Sequence, residues 1–83
     1  MRLSVKYFAS IRESLGRGGE ALDTPAATLA QLRDELVARG GAYAQSLARG
    51  KAVRMALNQV MSEEAATLSE DCEVAFFPPV TGG

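Results

Sequence analysis

Residues 74–83 have the sequence VAFFPPVTGG, and this ending defines the last strand of the fold. Its first part alternates, with Val74 and Phe76 on one side of the chain and Phe77 on the other. A period of two predicts a β-strand that begins near position 72. The two prolines that follow end the strand, because proline has no backbone N–H to donate to a sheet.

The rest of the chain supplies partners for this strand. Residues 2–8 alternate in the same way and predict a first strand, and residues 20–24 predict a weaker second one. A third strand is predicted over residues 53–57. Asn58 and Gln59 then form a turn into a short fourth strand, although Asn-Gln is a weaker hairpin signal than Asn-Gly.

Two capping-box spacings indicate where helices begin. Ser10 with Glu13 predicts a short helix over residues 10–15, and Thr28 with Gln31 predicts the start of the main helix. Apolar residues then recur at helical spacing until a Gly-Gly pair ends the pattern. They give the main helix one apolar face: Leu29, Leu32, Leu36 and Val37.

With a further short helical turn over residues 42–47, the order of elements predicts an α+β roll. We expect a mixed sheet of four to five strands with one principal helix on one face. The chain shows no internal repeat and no linker. We therefore expect one domain over residues 1–79 and a flexible tail over residues 80–83.

The composition excludes several classes of function. A chain of 83 residues has a thin core, and without histidine it lacks the usual general base and the commonest metal ligand, so we expect neither an enzyme on its own nor a metal site. The single cysteine, Cys72, is expected to be a small core residue. A net charge of -1 does not indicate a basic surface that would bind nucleic acid, and no stretch of the sequence predicts a membrane-spanning helix. We expect a cytoplasmic protein.

The small net charge hides an asymmetry along the chain. Residues 1–54 hold all nine lysines and arginines and five acidic residues, whereas residues 55–83 hold five acidic residues and no basic one. Such an imbalance can steer a charged partner. The alternative is an ordinary solvated surface, because charges that are distant in sequence can mingle after folding.

The tail is the feature that carries chemistry. Gly82 and Gly83 have no Cβ, so they can pass through a channel that is only as wide as a backbone. The six residues from Pro78 onward can span about 20 Å, at roughly 3.3–3.6 Å each, and the two prolines stiffen the base of this arm. A carboxylate is a poor electrophile, so we expect a nucleotidyl partner to form an acyl-adenylate, from which a sulfur or amine nucleophile displaces AMP.

Three stretches of the sequence resemble one known family. The ending at residues 74–83 resembles that of the small subunits of molybdopterin synthase, the MoaD-type sulfur carriers with a ubiquitin-like β-grasp fold. The runs YFASIRE at residues 7–13 and LNQ at residues 57–59 resemble that family as well. The Gly-Gly end alone indicates only the wider superfamily, and the Phe-Phe-Pro-Pro block before it narrows the choice.

The resemblance implies a cycle of sulfur transfer. An E1-like adenylyltransferase with ATP activates Gly83, and a sulfurtransferase system supplies the sulfur that makes its thiocarboxylate. The tail then enters the large synthase subunit, where the sulfur reaches cyclic pyranopterin monophosphate. Two carriers and a dimer of large subunits form a heterotetramer. The carrier itself binds no cofactor, because ATP belongs to the activating enzyme.

The position of Phe77, opposite Val74 and Phe76 and directly before the tail, and the resemblance together give the residues expected to contact a partner. Alternatives remain for two of them, since Phe77 could simply pack against the main helix and Arg12 could be a solvated surface charge. The expected reacting residues are Gly83 and Gly82. The expected partner-binding residues are Phe8, Arg12, Phe77, Pro78, Pro79, Val80 and Thr81.

Two other functions fit the same ending. A ubiquitin-like modifier would be conjugated to lysines through Gly83, and a carrier of another pathway, such as the thiazole pathway, would deliver sulfur elsewhere. Both need the same activated terminal carboxylate.

Overall fold

A computed structural model describes residues 1–79, so Val80, Thr81 and the two terminal glycines lie outside the described residues. The tail over residues 80–83 therefore stays a prediction. Within residues 1–79 the chain forms eight elements. In chain order they are β1 (Arg2–Tyr7), α1 (Ala9–Leu15), β2 (Gly19–Asp23), α2 (Leu29–Val37), α3 (Gly41–Leu47), β3 (Arg54–Leu57), β4 (Val60–Ser62) and β5 (Glu73–Phe77).

The strands form one mixed sheet in the order β2-β1-β5-β3-β4. β5 lies in the centre, where it runs parallel to β1 and antiparallel to β3. The hairpins β1–β2 and β3–β4 complete the two edges. The predicted α+β roll with one principal helix is confirmed, and within the described residues the number of strands is five.

The core lies between this sheet and α2. Every second residue of β1 is buried, and α2 buries Leu29, Leu32 and Leu36 completely. From the centre of the sheet Val74 and Phe76 pack against the same cluster. This inner face of the sheet, the face that packs against α2, is continuous and apolar, which is the expected way for a domain of this size to bury a core.

The starts of the two helices that the capping-box spacings predict differ from each other. Thr28 Oγ1 accepts a hydrogen bond from Gln31 N at 3.2 Å, so the predicted cap of α2 is confirmed. The predicted cap at Ser10 is wrong, because α1 begins at Ala9 and Phe8 occupies the N-cap position. The carbonyl of Phe8 accepts the first helical hydrogen bonds, and β1 passes into α1 without a polar side chain between them.

The predicted turn between β3 and β4 is confirmed. Asn58 and Gln59 both have positive φ, 50° and 69°, as the favoured two-residue hairpin turn requires. The Asn58 side chain also accepts a hydrogen bond from Glu73 N at 2.9 Å. The hairpin is thereby tied to the start of β5.

Candidate functional site

The end of β5 places the residues before the tail at one end of the sheet. β5 ends at Phe77, and Phe8 donates its N–H to the carbonyl of Phe76 at 3.1 Å. Pro78 and Pro79 follow and are half-buried. Because β5 pairs with a strand on each side, the point from which the tail departs is fixed by the sheet.

The two prolines also form one wall of a surface groove of about 480 Å³. α1 contributes Ser10 and Ser14 to the groove, and Lys51 lies on the segment before β3. The groove offers hydroxyl groups and one cation beside the last described residues.

Phe8 and Phe77 form an exposed aromatic pair on the outer face of the sheet, the face away from α2. Their ring centroids lie 6.3 Å apart with the planes at 82°, an edge-to-face contact. Phe8 is 45% exposed and Phe77 is half-buried. The alternative that Phe77 packs against the main helix is wrong, because Phe77 is on the opposite face from the buried Phe76.

Arg12 lies on the exposed side of α1, one turn beyond Phe8, whose carbonyl accepts a hydrogen bond from Arg12 N at 3.3 Å. The Arg12 guanidinium lies against Gly18, where an added Cβ would be 3.4 Å away. Within the described part of the chain no carboxylate lies within 4.0 Å of it. The fold therefore brings together Phe8, Phe77, Pro78 and Pro79, whereas the Arg12 side chain lies beside Gly18 before β2. The contact of all five residues with a partner stays a prediction.

Sequence reasoning missed two residues on the outer face. Arg54 is directly opposite Phe77 in the antiparallel pair β3–β5, and Met61 is opposite Ala56 in the pair β3–β4. Met61 is 53% exposed. The alternation of each strand was visible in the sequence, but only the register shows that both side chains share a face with Phe77.

Glu20, on the edge strand β2, is at the centre of a polar cluster at the margin of the inner face. Tyr7 and Tyr43 each donate a hydroxyl hydrogen bond of 2.9 Å to Glu20 Oε2, and Arg39 Nη1 donates to both carboxylate oxygens. Burial by itself raises the pKa of the Glu20 carboxyl, but the hydrogen bonds from Arg39 and the two tyrosines outweigh burial and hold that pKa below its usual value.

The same cluster affects Tyr7. Burial first, and then its hydrogen bond to the Glu20 carboxylate, raise the pKa of the Tyr7 hydroxyl far above its ordinary value. Arg39 also lies 4.9 Å from the centroid of the Tyr43 ring. The cluster joins β1, β2 and α3 and leaves no buried side-chain polar atom without a partner among residues 1–79, so we interpret it as structural.

The remaining candidates add no reactive group to this site. Cys72 is 2% exposed and belongs to the core. Within residues 1–79 no group of three or more His, Cys, Asp or Glu side chains is placed to hold a metal ion. None of the helices described is long and apolar enough to cross a membrane.

The central parallel pair, the two hairpins and the helix across one face define a ubiquitin-like β-grasp protein. SAMP1 from Haloferax volcanii superposes with a TM-score of 0.78 over all of both chains, at 24% identity. The Haloferax volcanii HVO 2177 protein gives a TM-score of 0.81 at 26% identity, over all of this chain and 87% of that one. One chain of the complex of subunits 1 and 2 of molybdopterin-converting factor from Helicobacter pylori gives a TM-score of 0.68 at 24% identity, over both full chains.

The chain belongs to the ThiS family, whose model matches residues 5–83. Two curated relatives are molybdopterin synthase sulfur carrier subunits. The one from Haemophilus influenzae is 37% identical over 81 residues, which cover 98% of this chain and 99% of the relative. The one from Escherichia coli is 36% identical over the same shares of both chains. These similarities confirm the family that the ending and the two internal runs indicated.

Proposed function

We propose that this chain is the sulfur-carrier subunit of a molybdopterin synthase and that Gly83 carries the sulfur. The observation that carries the proposal is the identity of 36–37%, over 98% of the chain, to two carrier subunits of that enzyme. The chain ends in Gly-Gly and contains no histidine. In this proposal the Gly83 carboxylate is the group that is activated, and the chain lacks the residue that most often serves as a general base.

The proposed cycle begins at the terminal carboxylate. The Gly83 carboxylate attacks ATP in an E1-like adenylyltransferase, which forms the acyl-adenylate and releases pyrophosphate. The terminal sulfur of a persulfide on the sulfurtransferase donor then displaces AMP and forms an acyl disulfide. A second thiol cleaves its S–S bond, which releases the thiocarboxylate and leaves a disulfide on the donor side. Inside the large synthase subunit the sulfur reaches cyclic pyranopterin monophosphate. The carrier binds no cofactor of its own in this cycle.

The geometry supports separate roles for the outer face, which would dock, and the tail, which would react. The outer face presents the Phe8–Phe77 pair at the point where the tail departs, and β5 fixes that point through hydrogen bonds to β1 and β3. We propose that this face docks on the partner together with Arg12, Pro78 and Pro79. Val80, Thr81 and Gly82 then extend into the partner with Gly83 at the reacting end.

The proposed partner is the large subunit, in a heterotetramer with two carriers. The Helicobacter pylori structure that resembles this fold contains subunits 1 and 2 of its molybdopterin-converting factor together. We place the cycle in the cytoplasm, where a chain with one buried cysteine needs no disulfide.

Intact mass spectrometry tests the proposal. After incubation with the activating enzyme, ATP and a sulfur source, we expect the mass to increase by the exchange of one oxygen for sulfur, located at Gly83 by fragmentation. The matched control is the same chain without Gly83, which should keep the circular dichroism spectrum of the full chain and gain no sulfur. An unmodified Gly83 beside an active enzyme contradicts the proposal.

Two further outcomes separate the alternatives. Isopeptide adducts of Gly83 with lysines, without a complex with a large synthase subunit, indicate a ubiquitin-like modifier. Rescue of a thiamine auxotroph, but not of a molybdopterin-deficient strain, indicates a carrier of the thiazole pathway.

A further inference from the structure

Most of the basic side chains of this protein are neutralised within the fold. Among residues 1–79, six of the nine lysines and arginines have a carboxylate within 4.0 Å, and three of these six reach across the two oppositely charged parts of the sequence. Folding thereby cancels much of the asymmetry. The paired residues are Arg2, Lys6, Arg17, Arg33, Arg39 and Arg49.

The other three, Arg12, Lys51 and Arg54, are exposed and have no carboxylate within 4.0 Å in the described part of the chain. We call them the basic rim. Lys51 and Arg54 lie beside the end of β5, and Arg12 lies on α1 with its guanidinium against Gly18. Arg54 is opposite Phe77 in the sheet, Lys51 lines the groove beside the two prolines, and Arg12 lies one turn beyond Phe8.

A buried arginine orders the segment that carries Lys51. Arg33, 5% exposed, donates hydrogen bonds to the carbonyls of Leu47, Ala48 and Lys51 at 2.6, 2.8 and 3.0 Å. These bonds satisfy carbonyls at the end of α3 and hold the backbone at Lys51. Lys51 is therefore presented on a loop that Arg33 orders, whereas Arg12 and Arg54 lie on α1 and β3.

The two ends of the sheet differ in charge. At the end with the basic rim, two acidic residues form no ion pair among the described residues: Glu13 on α1, and Glu63, which follows β4 where Ser62 pairs with Met55. Three unpaired positive charges therefore face two unpaired negative charges there. At the other end, Glu70 and Asp71 approach the backbone of Arg2 at the start of β1. The six residues of β1 separate these ends by about 20 Å. That distance exceeds the Debye length of about 8 Å at physiological ionic strength, so a partner senses the two ends separately.

We infer that the basic rim docks on an acidic protein surface that surrounds the entrance through which a partner receives the tail. This inference rests on the proposed function and extends it, since it assigns Lys51 and Arg54 to docking beside Arg12. Unpaired charges at the edge of an interface accelerate association and set its orientation. The adjacent aromatic pair favours a protein surface, with apolar contacts in the centre and ion pairs around it.

A titration of the isotope-labelled protein with a hexaglutamate peptide tests the rim without any assumption about the partner. At low ionic strength we expect shifts of backbone and side-chain NMR signals confined to Arg12, Lys51, Arg54 and their neighbours, and their loss at 0.5 M salt, where the Debye length is roughly 4 Å. Shifts spread evenly over all nine cations, or none, overturn the inference. Stronger and similarly placed shifts with a single-stranded oligonucleotide overturn it in favour of nucleic acid.

Association rates with the large synthase subunit then test the function of the rim. The double variant Lys51→Gln/Arg54→Gln should associate about tenfold more slowly at low salt, with a weaker salt dependence. The control Arg2→Gln/Arg49→Gln removes the same charge from paired sites and should change the rate less than about twofold. Melting curves verify that both variants fold. Equal association rates for the two variants contradict the inference. If the unaltered carrier does not bind the large subunit, the proposed function is wrong, and the peptide titration still tests whether the basic rim binds an acidic partner.

Discussion

Phe76 and Phe77 are adjacent, chemically identical and in the same strand, yet the sheet gives them opposite surroundings. Phe76 is completely buried and stacks on Tyr7 with ring centroids 6.2 Å apart. Phe77 is half-buried on the other face and contacts the exposed Phe8. The comparison indicates that the inner face stabilises the domain while the outer face is available to a partner.

The largest expected effect is a loss of stability when a residue of the inner face is truncated. Phe76→Ala removes a ring from a fully packed core, so we expect the free energy of unfolding to fall by about 3–5 kcal/mol. For a domain of this size such a loss approaches the whole stability. Urea denaturation followed by circular dichroism measures it. A loss below about 1 kcal/mol would contradict the division between the two faces.

Phe77→Ala tests the other side of the comparison. We expect the unfolding free energy to change by less than about 1 kcal/mol, because the ring is outside the core, and the affinity for the large subunit to fall by about 1.5–3 kcal/mol. Calorimetric titration measures the affinity. Phe77→Leu is the matched control, since it keeps most of the apolar area. If Phe77→Ala destabilises the fold as much as Phe76→Ala, the outer face is structural.

Glu20→Gln tests how much the polar cluster at the margin of the inner face contributes to the stability of the domain. The pKa of Glu20 is lower in the folded state than its usual value near 4.5, so its contribution is present above that pH and is lost as the pH falls through the folded pKa. At neutral pH we expect the variant to be about 1–2 kcal/mol less stable, because the hydrogen bonds from Arg39 then lack a charged acceptor.

Denaturation curves at several pH values between 3 and 7 check this expectation. The difference between Glu20→Gln and the unaltered protein should narrow steadily below about pH 4.5. A difference that stays constant down to acid pH shows that the charge of Glu20 contributes nothing and that the cluster acts only through packing.

Met61→Ser gives the smallest expected effect. Met61 is more than half exposed on the short edge strand β4, so the fold should lose little. If the docking surface extends from Phe77 across β3 to this strand, the affinity for the large subunit should fall by about 1 kcal/mol, or fivefold. Unchanged affinity limits the surface to the end of β5.

Local signals predicted the elements better than the residues at which they begin. The alternation in β1 and the capping spacing at Thr28 depend on neighbouring residues, and the structure confirms both. The same spacing at Ser10 was misleading, because the carbonyl of Phe8, held beside β5, begins the helix instead. A capping pattern therefore predicts a helix more reliably than the residue at which it begins.

Side chains that act over long sequence separations could not be predicted. Glu20 joins Tyr43, 23 residues away, and Arg33 orders the backbone of Lys51, 18 residues away. No periodicity links such positions. The pairing of six basic residues likewise depends on which carboxylates folding brings within reach.

The sequence by itself determined the α+β class, the buried side of each principal element and the Gly-Gly ending, since these follow from local periodicity and from the chemistry of single residues. The tertiary structure decided which residues share the outer face with Phe77 and which cations stay unpaired within residues 1–79. The physical reason is that strand register and charge pairing are set by contacts between distant segments, and those contacts form only when the central strand β5 joins β1 to β3.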